Sequence, residues 1–414
     1  MKRTRRVMSG TVVVLGGSGA MTSSCVYDLH KTSGFDQIVV ADVDEENATK
    51  LLDTIDDERF SYTDVDATDT ADIVEVLDGA DYVVNGLPYQ FEDNVLDAIV
   101  EVGDITGVDL NAFDFDRILG RSEEFAEAGC SLWFCNGGVV STIMLGMLAC
   151  QDMDDVAEVN FYWGMWRLLT QTTAGLTDTV TYEHDPTVDE RVVWQDGEVT
   201  KDLPPFGLRK EFAFPDPVGT QETYVITHPE SITFPWSDIA QETGVERIVT
   251  RGVWHPEWQD YEETLLNAGL FDADPVEVDG AEVDAIEAMQ QAIIQAGAEE
   301  EWRDPSELSP ETEWTPQTIL STEVVGSAAD RGARSVYHMT QPFPFFDGND
   351  ITLMREYGCY VGVPLSVTLQ LMAAGESDGE GIFTTENSGV DPERYFEEMD
   401  ARGFELVPET TPKK

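Results

Sequence analysis

The sequence predicts an α/β protein with an N-terminal doubly wound parallel sheet, then an α+β domain, and then C-terminal helices that return to the first domain. Three observations predict this fold. A short apolar run leads into a glycine turn near residue 16, strand and helix patterns then alternate as far as residue 135, and beyond residue 150 strands are separated by proline-bearing loops. Alternation of strands with helices is typical of a parallel sheet covered on both faces.

The segment from Thr11 to Tyr27, TVVVLGGSGAMTSSCVY, predicts a strand, a glycine turn and a helix. In a dinucleotide-binding fold the first glycine, here Gly17, permits the tight turn, and the second, Gly19, lets the backbone approach a pyrophosphate at the helix N-terminus. The third glycine, which allows close helix–strand packing, is Thr22 here. A plain βα turn is the alternative. The residues of the predicted pyrophosphate site are Gly17, Ser18, Gly19, Ala20 and Met21.

The second predicted strand ends in a carboxylate that bears on the choice of cofactor. Gln37 to Asp42 (QIVVAD) is an apolar run, and an acid at its end accepts hydrogen bonds from adenosine ribose hydroxyls. Asp42 therefore favours NAD over NADP, because a carboxylate repels a 2′-phosphate and the following Val43 to Glu46 contain no arginine. Asp42 and Val43 thus join the predicted cofactor site. The alternative is that Asp42 only caps the helix that follows.

The composition limits the possible partners. The chain has 414 residues, of which 42% are hydrophobic, so it is long enough for two domains with large cores. Its 24 basic and 81 acidic residues give a net charge of −57, spread over strands and helices. Such an acidic surface is typical of a halophilic protein, in which molar salt screens the repulsion over about 3 Å. The charge argues against nucleic acid as a partner.

Cysteines and apolar runs bear on location. The five cysteines, Cys25, Cys130, Cys135, Cys150 and Cys359, show no CxxC pairing, which predicts buried thiols and neither zinc nor disulfides. The N-terminal MKRTRRVMSG lacks the apolar core of a signal peptide, and no run reaches the roughly 18 apolar residues of a membrane span. We therefore expect a cytoplasmic protein with no metal site and no membrane partner.

The first domain, predicted as residues 1–140, contains six strand–helix repeats. Its later strands are predicted at Phe60–Thr63, Asp81–Asn85, Asp104–Val108 and Ser131–Cys135, and the helices between them at Thr68–Leu77, Glu92–Val102 and Phe115–Ala128. Ligands bind outside the carboxyl ends of such strands, where Gly86–Tyr89, Asp109–Asn111 and Asn136–Val139 lie. Ordinary turn chemistry is the alternative for each segment. The cofactor contacts expected from them are Asn85, Leu87, Pro88 and Asp109.

The second domain is predicted as residues 141–350 and the C-terminal part as residues 351–414. The elements predicted for the second domain are a helix at Thr142–Ala149, strands such as Glu158–Trp163 and Thr223–Thr227, helices at Trp258–Ala268 and Val283–Gly297, and an exposed acidic loop at Glu299–Pro316. The C-terminal part carries predicted helices at Tyr357–Ala374 and Pro392–Arg402, and proline favours the start of the second. We expect this tail to pack back on the nucleotide domain.

Seven segments carry a resemblance to a known family and extend over nearly the whole chain. They are VVVLGGSGAM (Val12–Met21), VVADVD (Val39–Asp44), VVNGLPYQF (Val83–Phe91), GVDL (Gly107–Leu110), FPDPVGTQETYVITHPESITFP (Phe214–Pro235), VTRG (Val249–Gly252) and GVDPERYFEEMDARGFEL (Gly389–Leu406). With these segments the chain resembles the saccharopine dehydrogenase-like oxidoreductases, which include lysine 6-dehydrogenase and carboxynorspermidine dehydrogenase. It departs from the family pattern at Thr22 and at Ser141-Thr142, near which the family usually has proline-glycine.

The resemblance implies a Rossmann nucleotide domain, an α+β substrate domain and an NAD(P)-dependent oxidoreductase. The implied reaction transfers hydride to or from the carbon of a C–N bond in an amino-acid-derived amine or imine of the lysine, saccharopine or carboxy-polyamine type. We also expect a homodimer. The alternative is a non-catalytic Rossmann scaffold with a regulatory or assembly role, which the departures at Thr22 and Ser141-Thr142 keep open, since fold alone does not define function.

Three residues are candidates for the chemistry: His228, Arg251 and Glu222. His228 ends a predicted strand and could transfer a proton or orient the substrate, although a lone histidine is more often a satisfied polar residue. Arginine suits a substrate carboxylate, and the alternative for each arginine is an ordinary ion pair. The scarce arginines considered are Arg167, Arg209, Arg247 and Arg251.

We expect the chemistry to lie between the two domains, because ligand sites prefer such crevices. Gly86–Tyr89, Gly138–Thr142 and the strand ending at His228 should then converge. Glu222 lies in that same strand, and Tyr224, two residues on, should share its face.

Overall fold

The computed structural model describes residues 8–166, 183–185, 191–201, 203–216, 218–271, 275–297, 317–340 and 356–412. The chain divides into two compact units, Met1–Met144 with Leu353–Arg402, and Leu145–Thr352 with Gly403–Lys414. Arg167 and the predicted loop Glu299–Pro316 lie outside the described residues. Among the helices that are described, each is too short or too polar to cross a lipid bilayer.

The described residues form strands and helices in both units. The strands are β1 (Thr11–Leu15), β2 (Gln37–Ala41), β3 (Phe60–Thr63), β4 (Tyr82–Asn85), β5 (Thr106–Asp109), β6 (Ser131–Trp133), β7 (Asp155–Trp166), β8 (Val193–Gln195), β9 (Glu198–Thr200), β10 (Lys210–Ala213), β11 (Thr220–Val225), β12 (Arg247–Trp254), β13 (Val276–Val278), β14 (Ala281–Val283), β15 (Gln317–Ala328), β16 (Arg331–Thr340), β17 (Gly381–Phe383) and β18 (Glu405–Pro412). The α-helices are α1 (Thr22–Thr32), α2 (Glu45–Ile55), α3 (Thr70–Leu77), α4 (Glu92–Val102), α5 (Phe115–Leu119), α6 (Ser122–Glu127), α7 (Gly138–Gln151), α8 (Glu230–Thr233), α9 (Asp238–Thr243), α10 (Pro256–Asn267), α11 (Ala285–Gly297), α12 (Glu356–Ala373) and α13 (Pro392–Asp400).

The first unit is built on a seven-stranded parallel sheet in the order β17-β6-β5-β4-β1-β2-β3. All six predicted strands are present, and the winding reverses between β1 and β4, as in a doubly wound fold. Val12, Val13 and Val14 in β1 are at most 1% exposed, because a strand covered on both faces is apolar throughout. The predicted N-terminal α/β fold is therefore confirmed.

The C-terminal helices belong to this first unit, as predicted. Helix α12 packs along α1, and a Cβ added to Gly362 would lie 2.3 Å from the Met21 carbonyl oxygen, so the two helices approach closely. After α13, the Arg402 Nε donates to both carboxylate oxygens of Asp28 at 2.9 Å. Both side chains are buried, so the guanidinium and the carboxylate satisfy each other out of water.

Residues beyond Arg402 differ from the prediction that the whole tail packs on the nucleotide domain. Strand β18 pairs antiparallel with β16 and belongs to the second unit. It is the edge strand of that sheet and contains Pro408 and Pro412, which lack the backbone N–H that a central strand needs. These prolines are the reason that the segment does not read as a strand in the sequence.

The second unit contains a nine-stranded mixed sheet, whose main path is β10-β11-β12-β7-β15-β16-β18, with β8 beside β12 and β9 beside β8. Only the β12–β7 pairing is parallel among the pairings described for this sheet. Its core contains Tyr162, which stacks on Phe212 with ring centroids 3.7 Å apart, together with Phe214 and Ile319. The predicted α+β character of this region is confirmed.

Candidate functional site

Glycines in the turn between β1 and α1 leave the backbone there free of side chains. Gly16, with a φ of +67°, makes the tight turn one residue earlier than the sequence indicated. A Cβ added to Gly17 would lie 2.9 Å from the Val14 carbonyl oxygen, and one added to Gly19 would lie 3.1 Å from the Gly16 carbonyl oxygen. The N-cap residue of α1 is Met21, which has no side-chain oxygen to accept from the first N–H groups of the helix. The turn therefore fits a pyrophosphate, which needs close backbone and helix N–H donors.

Thr22, which replaces the third glycine, is accommodated by a glycine on the neighbouring strand end. The Thr22 hydroxyl donates to the Gly16 carbonyl, and the residue is 1% exposed. A Cβ added to Gly86, directly after β4, would lie 2.0 Å from Thr22 Cγ2. Helix α1 can pack closely because the missing side chain is at Gly86 rather than on the helix. The departure at Thr22 thus leaves the backbone turn intact.

Gly86→Ala is expected to lower the free energy of unfolding by about 1–3 kcal/mol, because the new methyl group overlaps Thr22 Cγ2. Thr22→Ser removes that methyl group and keeps the hydroxyl, so the double variant should recover at least about 0.5 kcal/mol of the loss. Urea unfolding in molar KCl measures these values. Gly34→Ala is the control, since its Cβ would come no closer than 3.4 Å to another residue. If Gly86→Ala lowers the free energy of unfolding equally with threonine and with serine at position 22, the contact between the new methyl group and Thr22 Cγ2 is contradicted.

Asp42 lies against the glycine turn at the end of β2. Its Oδ2 accepts from the Ser18 N–H at 2.9 Å and from the Ser18 hydroxyl at 2.8 Å, and its Oδ1 accepts from the Asp44 N–H at 3.0 Å. The cap of α2 is Asp44, whose carboxylate accepts from the Asn47 N–H at 3.0 Å. The capping role that was the alternative for Asp42 therefore belongs to Asp44. Val43, beside them, is 78% exposed.

The predicted contacts after β4 and β5 divide into exposed and buried residues. Leu87 is partly exposed and Pro88 is exposed, so both can contact a ligand at the carboxyl edge of the sheet. Asn85 and Asp109 are fully buried, and the Asn85 side-chain amide donates to Asp109 Oδ2 at 2.8 Å. Their side chains therefore lie behind the loop instead of on its surface. Glu92, which sequence reasoning did not single out, also accepts from Asn85, at 3.2 Å.

The departure at Ser141-Thr142 lies inside helix α7. Ser141 Oγ and Tyr395 OH are 2.7 Å apart in a buried hydrogen bond, and the Thr142 hydroxyl donates to the Val139 carbonyl at 2.9 Å. Both residues are 0% exposed. The two hydroxyls are therefore used within the first unit, in packing and in the helix backbone.

In the second unit, His228 forms a pair with a buried carboxylate. His228 Nδ1 is 2.8 Å from Glu230 Oε2, and Glu230 Oε1 accepts from the Trp163 indole N–H at 2.8 Å. Glu230 is 0% exposed, whereas the His228 side chain is 14% exposed and its ring lies 4.3 Å from the Trp163 ring. An ionised Glu230 holds the proton on Nδ1, which leaves Nε2 as the nitrogen that can exchange a proton with a ligand.

Arg251 lies on the other face of the same sheet from His228. In β7, Trp163 contacts Glu230 whereas Tyr162 contacts Glu323, because successive strand residues point to opposite faces. Arg251 is level with Tyr162 in the β12–β7 register. Its guanidinium is buried and donates to Asn160 Oδ1 at 2.8 Å and to the Leu208 carbonyl. The structure therefore does not bring Arg251 and His228 together, and it engages Arg251 within the domain.

Glu222 and two of the arginines considered above, Arg209 and Arg247, form ion pairs or hydrogen bonds near the surface. Glu222 binds Arg209 at 2.8 Å with 53% of its side chain exposed, and Arg209 also binds Glu263 at 2.8 Å. Arg247 donates to Gln195 Oε1 at 2.7 Å. The Glu222 carboxylate is thus paired with Arg209 at an exposed position.

The remaining four histidines have local structural contacts. His30 Nδ1 is 3.0 Å from Asp57 Oδ2, and His338 Nδ1 is 2.8 Å from Ser321 Oγ. His255 is the N-cap of α10, and His184 is buried with its ring 4.2 Å from that of Phe206. Burial lowers the pKa of His184, His255 and His338, which favours their neutral forms.

A search of the described part of the chain finds no group of three or more His, Cys, Asp or Glu side chains that could hold a metal ion. All five cysteines are buried and outside disulfides, as their apolar surroundings indicated. Burial raises the pKa of Cys150 to about 12 and keeps that thiol protonated.

Comparison with known proteins agrees with the geometry of the glycine turn. Residues 12–122 match the family model described as the saccharopine dehydrogenase NADP binding domain. The apo structure of saccharopine dehydrogenase (L-Glu forming) from Saccharomyces cerevisiae is similar with a TM-score of 0.69 at 14% identity, over 97% of this chain and 100% of that chain. The fold of the chain is that of saccharopine dehydrogenase. The resemblance indicated by the sequence motifs is thereby confirmed.

At 14% identity, the similarity to the Saccharomyces cerevisiae structure establishes the fold of this chain but does not define its substrate. Two partial likenesses carry no argument. They are Pen from Bacillus thuringiensis (12% identity, 37% of this chain and 61% of that chain, TM-score 0.28) and BdcA (YjgI) from E. coli (11% identity, 31% and 82%, TM-score 0.26).

Sequence reasoning missed two acids of the saccharopine dehydrogenase-like chain, Glu92 and Glu230. Glu230 follows His228 by two residues in THPE, so the short spacing was a usable signal for a carboxylate–histidine pair. Glu92 reads as an ordinary first-turn acid, which helix N-termini favour. The local sequence does not indicate that Glu92 is buried against Asp109, because Asp109 belongs to β5 and is brought beside Glu92 only by the fold.

Proposed function

We propose that this saccharopine dehydrogenase-like chain is an NAD-preferring oxidoreductase that acts on the C–N bond of an amino-acid-derived amine or imine. A bound nicotinamide supplies the hydride acceptor or donor. The single observation that carries the proposal is the glycine turn with Asp42 against Ser18, at the carboxyl edge of a parallel sheet. The family match at residues 12–122 supports an NAD(P)-dependent oxidoreductase. Lysine, saccharopine and carboxy-polyamines are the substrates to test, because the resemblance implies this class.

The preference for NAD over NADP rests on charge. Asp42 stands at the position that accepts ribose hydroxyls, and Asp44, Glu45 and Glu46 follow it with no cation among them. A 2′-phosphate at this place would meet four acids. The family model is described as NADP binding, so the proposal attributes a different selectivity to this chain.

Asp42→Ala is expected to weaken NADH binding about tenfold and to narrow the gap between NADH and NADPH, because it removes both the ribose acceptor and a charge that repels phosphate. Fluorescence titration with both cofactors in molar KCl measures this, and adding lysine, saccharopine or a carboxy-polyamine then tests for substrate binding. Asp44→Asn is the matched control, since it removes a nearby charge and keeps a capping side chain. Unchanged NADH affinity in Asp42→Ala would refute the assignment.

For proton transfer we propose His228, oriented by Glu230. Amine oxidation needs a neutral nitrogen, and imine reduction needs a proton for the product nitrogen, so a general acid–base group is required in either direction. His228 has a partly exposed ring whose inner nitrogen is held by a buried carboxylate. Glu222 and Arg251 lack these features, since the first is exposed and ion-paired and the second is buried in its own hydrogen bonds.

The scaffold alternative loses most of its support. It depended on the departures at Thr22 and Ser141-Thr142. Gly86 provides the space that Thr22 needs, and Ser141 and Thr142 lie inside α7 with their hydroxyls bonded. Binding of a dinucleotide without turnover of any tested substrate, or failure to bind either dinucleotide, would favour the scaffold alternative.

A further inference from the structure

Two buried acids meet behind the loop that follows β4. Glu92, the first residue of α4, is 2% exposed, and Asp109, the last residue of β5, is 0% exposed. The Asn85 side-chain amide donates to both, at 3.2 Å to Glu92 Oε2 and at 2.8 Å to Asp109 Oδ2. Two ionised carboxylates so close together in a buried site repel each other strongly, so the pair holds one proton.

The hydrogen bonds assign this proton to Glu92. Both oxygens of Asp109 accept, Oδ2 from Asn85 and Oδ1 from the Asn111 N–H at 2.7 Å. Glu92 Oε2 accepts from the Asn111 side-chain amide at 2.6 Å, whereas Oε1 has no partner among the described residues. The Glu92 and Asp109 carboxyl groups share a side-chain hydrogen bond, which needs a proton on one of them, and Glu92 has the unused capacity to carry it.

The charges around the pair agree with this assignment. Burial and the Asp109 charge raise the pKa of Glu92 to about 10, and Arg117 on α5 opposes that rise. Burial also raises the pKa of Asp109, while its bonds from Asn85, Asn111 and Glu92 favour the ionised form. Arg117 is itself bound to Asp93 and Asp114, so its charge is largely compensated.

The two asparagines connect the acids to the loop. The Leu87 N–H donates to Asn85 Oδ1 at 3.2 Å, and the Asn111 side-chain amide donates to the Leu87 carbonyl at 3.3 Å. Leu87 is thus held on both sides of its backbone by amides that the acids orient. Gly86, the residue before it, faces Gly16 and Thr22 at the start of α1. The loop therefore lies at the point between β1 and β4 where a doubly wound sheet binds its ligand.

We propose that Glu92 is a positioning residue for the dinucleotide, which shares a proton with Asp109 and thereby holds Asn85, Asn111 and the Leu87 loop in the binding arrangement. The inference rests on the proposed cofactor function and adds an acid that does not contact the ligand itself. A protonated carboxyl at position 92, or an amide of the same shape, holds the loop. An ionised carboxylate there, or the loss of the acceptor at position 109, releases it.

NADH titration by fluorescence in molar KCl tests this with three variants. Glu92→Gln carries an amide that donates as the protonated acid does, so its Kd should stay within about twofold of wild type. Asp109→Asn replaces one of the two acceptor oxygens with an amide donor, so at least one of Asn85, Asn111 and Glu92 loses its acceptor. Its Kd should therefore rise about tenfold or more in the folded protein. Glu101→Gln, which removes an exposed charge near the other end of α4, should bind as wild type.

The same titrations at rising pH give a readout that a merely structural role would not move. Wild type should lose NADH affinity as the pH approaches about 10, because the shared proton leaves, while Glu92→Gln should keep its affinity. Circular dichroism at each pH establishes that the protein is folded.

The outcomes separate this inference from the proposed function. A folded wild type that binds neither NADH nor NADPH overturns the proposed function and this inference with it. If wild type binds, unchanged affinity in Asp109→Asn, or equal losses in Glu92→Gln and Asp109→Asn, overturns the inference alone. If Asp109→Asn does not fold, the pH comparison decides, and identical pH profiles for wild type and Glu92→Gln overturn it.

Discussion

His228→Asn is expected to lower kcat by about 10²- to 10⁴-fold, the usual contribution of a general acid–base group, and to leave NADH affinity near wild type. In the proposed mechanism, the pairing with Glu230 keeps the proton on Nδ1 and leaves Nε2 to exchange one with the substrate nitrogen. Steady-state kinetics with the substrate that supports turnover in wild type, together with NADH titration, measure both quantities.

Two further variants sharpen this test. Glu230→Gln keeps an acceptor for the Trp163 indole and can present an amide donor to His228, which favours the wrong tautomer and should also lower kcat. His255→Asn is the control, because asparagine preserves the N-cap of α10 and this histidine has no assigned role in turnover. Full turnover in His228→Asn would show that His228 packs on Trp163 and has no role in proton transfer.

The free energy of unfolding of wild type is expected to fall with rising pH relative to that of Glu92→Gln. Between the usual pKa of about 4.3 for glutamate in an unfolded chain and the folded value of about 10, the folded protein keeps a proton that the unfolded chain releases. The stabilisation is therefore complete below the unfolded pKa and is lost as the pH rises toward the folded pKa. One proton gives at most about 1.4 kcal/mol per pH unit, or about 4 kcal/mol between pH 6 and 9.

Urea unfolding in molar KCl at several pH values measures this difference. Glutamine has no proton to release, so the free energy of unfolding of Glu92→Gln should rise relative to that of wild type at each upward step in pH. Glu101→Gln, which removes an exposed charge from the same helix, should follow the wild-type curve because it leaves the buried pair untouched. Parallel curves for wild type and Glu92→Gln would mean that the folded protein does not hold the proton.

The parallel sheet could be predicted because a doubly covered strand must be apolar along its length, and such runs are visible in the sequence at β1, β2 and β4. β17 and β18 could not. β17 has three residues, too few for any periodic pattern, and it pairs with β6 about 250 positions earlier in the chain. β18 contains two prolines that only an edge position tolerates.

The residues of the candidate site also divide into those that the sequence could group correctly and those that it could not. The glycine turn and Asp42 follow from a motif whose members are close in sequence, and the structure places them together. Arg251 and His228 were grouped because their residue types suit the chemistry, yet they lie on opposite faces of one sheet. A strand alternates sides at each residue, so the face of Arg251 depends on a register that no local pattern records.

The sequence by itself determined the first six strands of the parallel sheet and the helices between them, the acidic charge and the place of the glycine turn. These features depend on local conformational preference and on apolar periodicity, which neighbouring residues carry. Only the tertiary structure decided which polar groups share a buried environment. It set Gly86 opposite Thr22, Glu92 beside Asp109, and Trp163 against Glu230. A hydrogen bond needs its two atoms within about 3 Å, and between residues far apart in the chain that distance is produced only by the packing of whole elements.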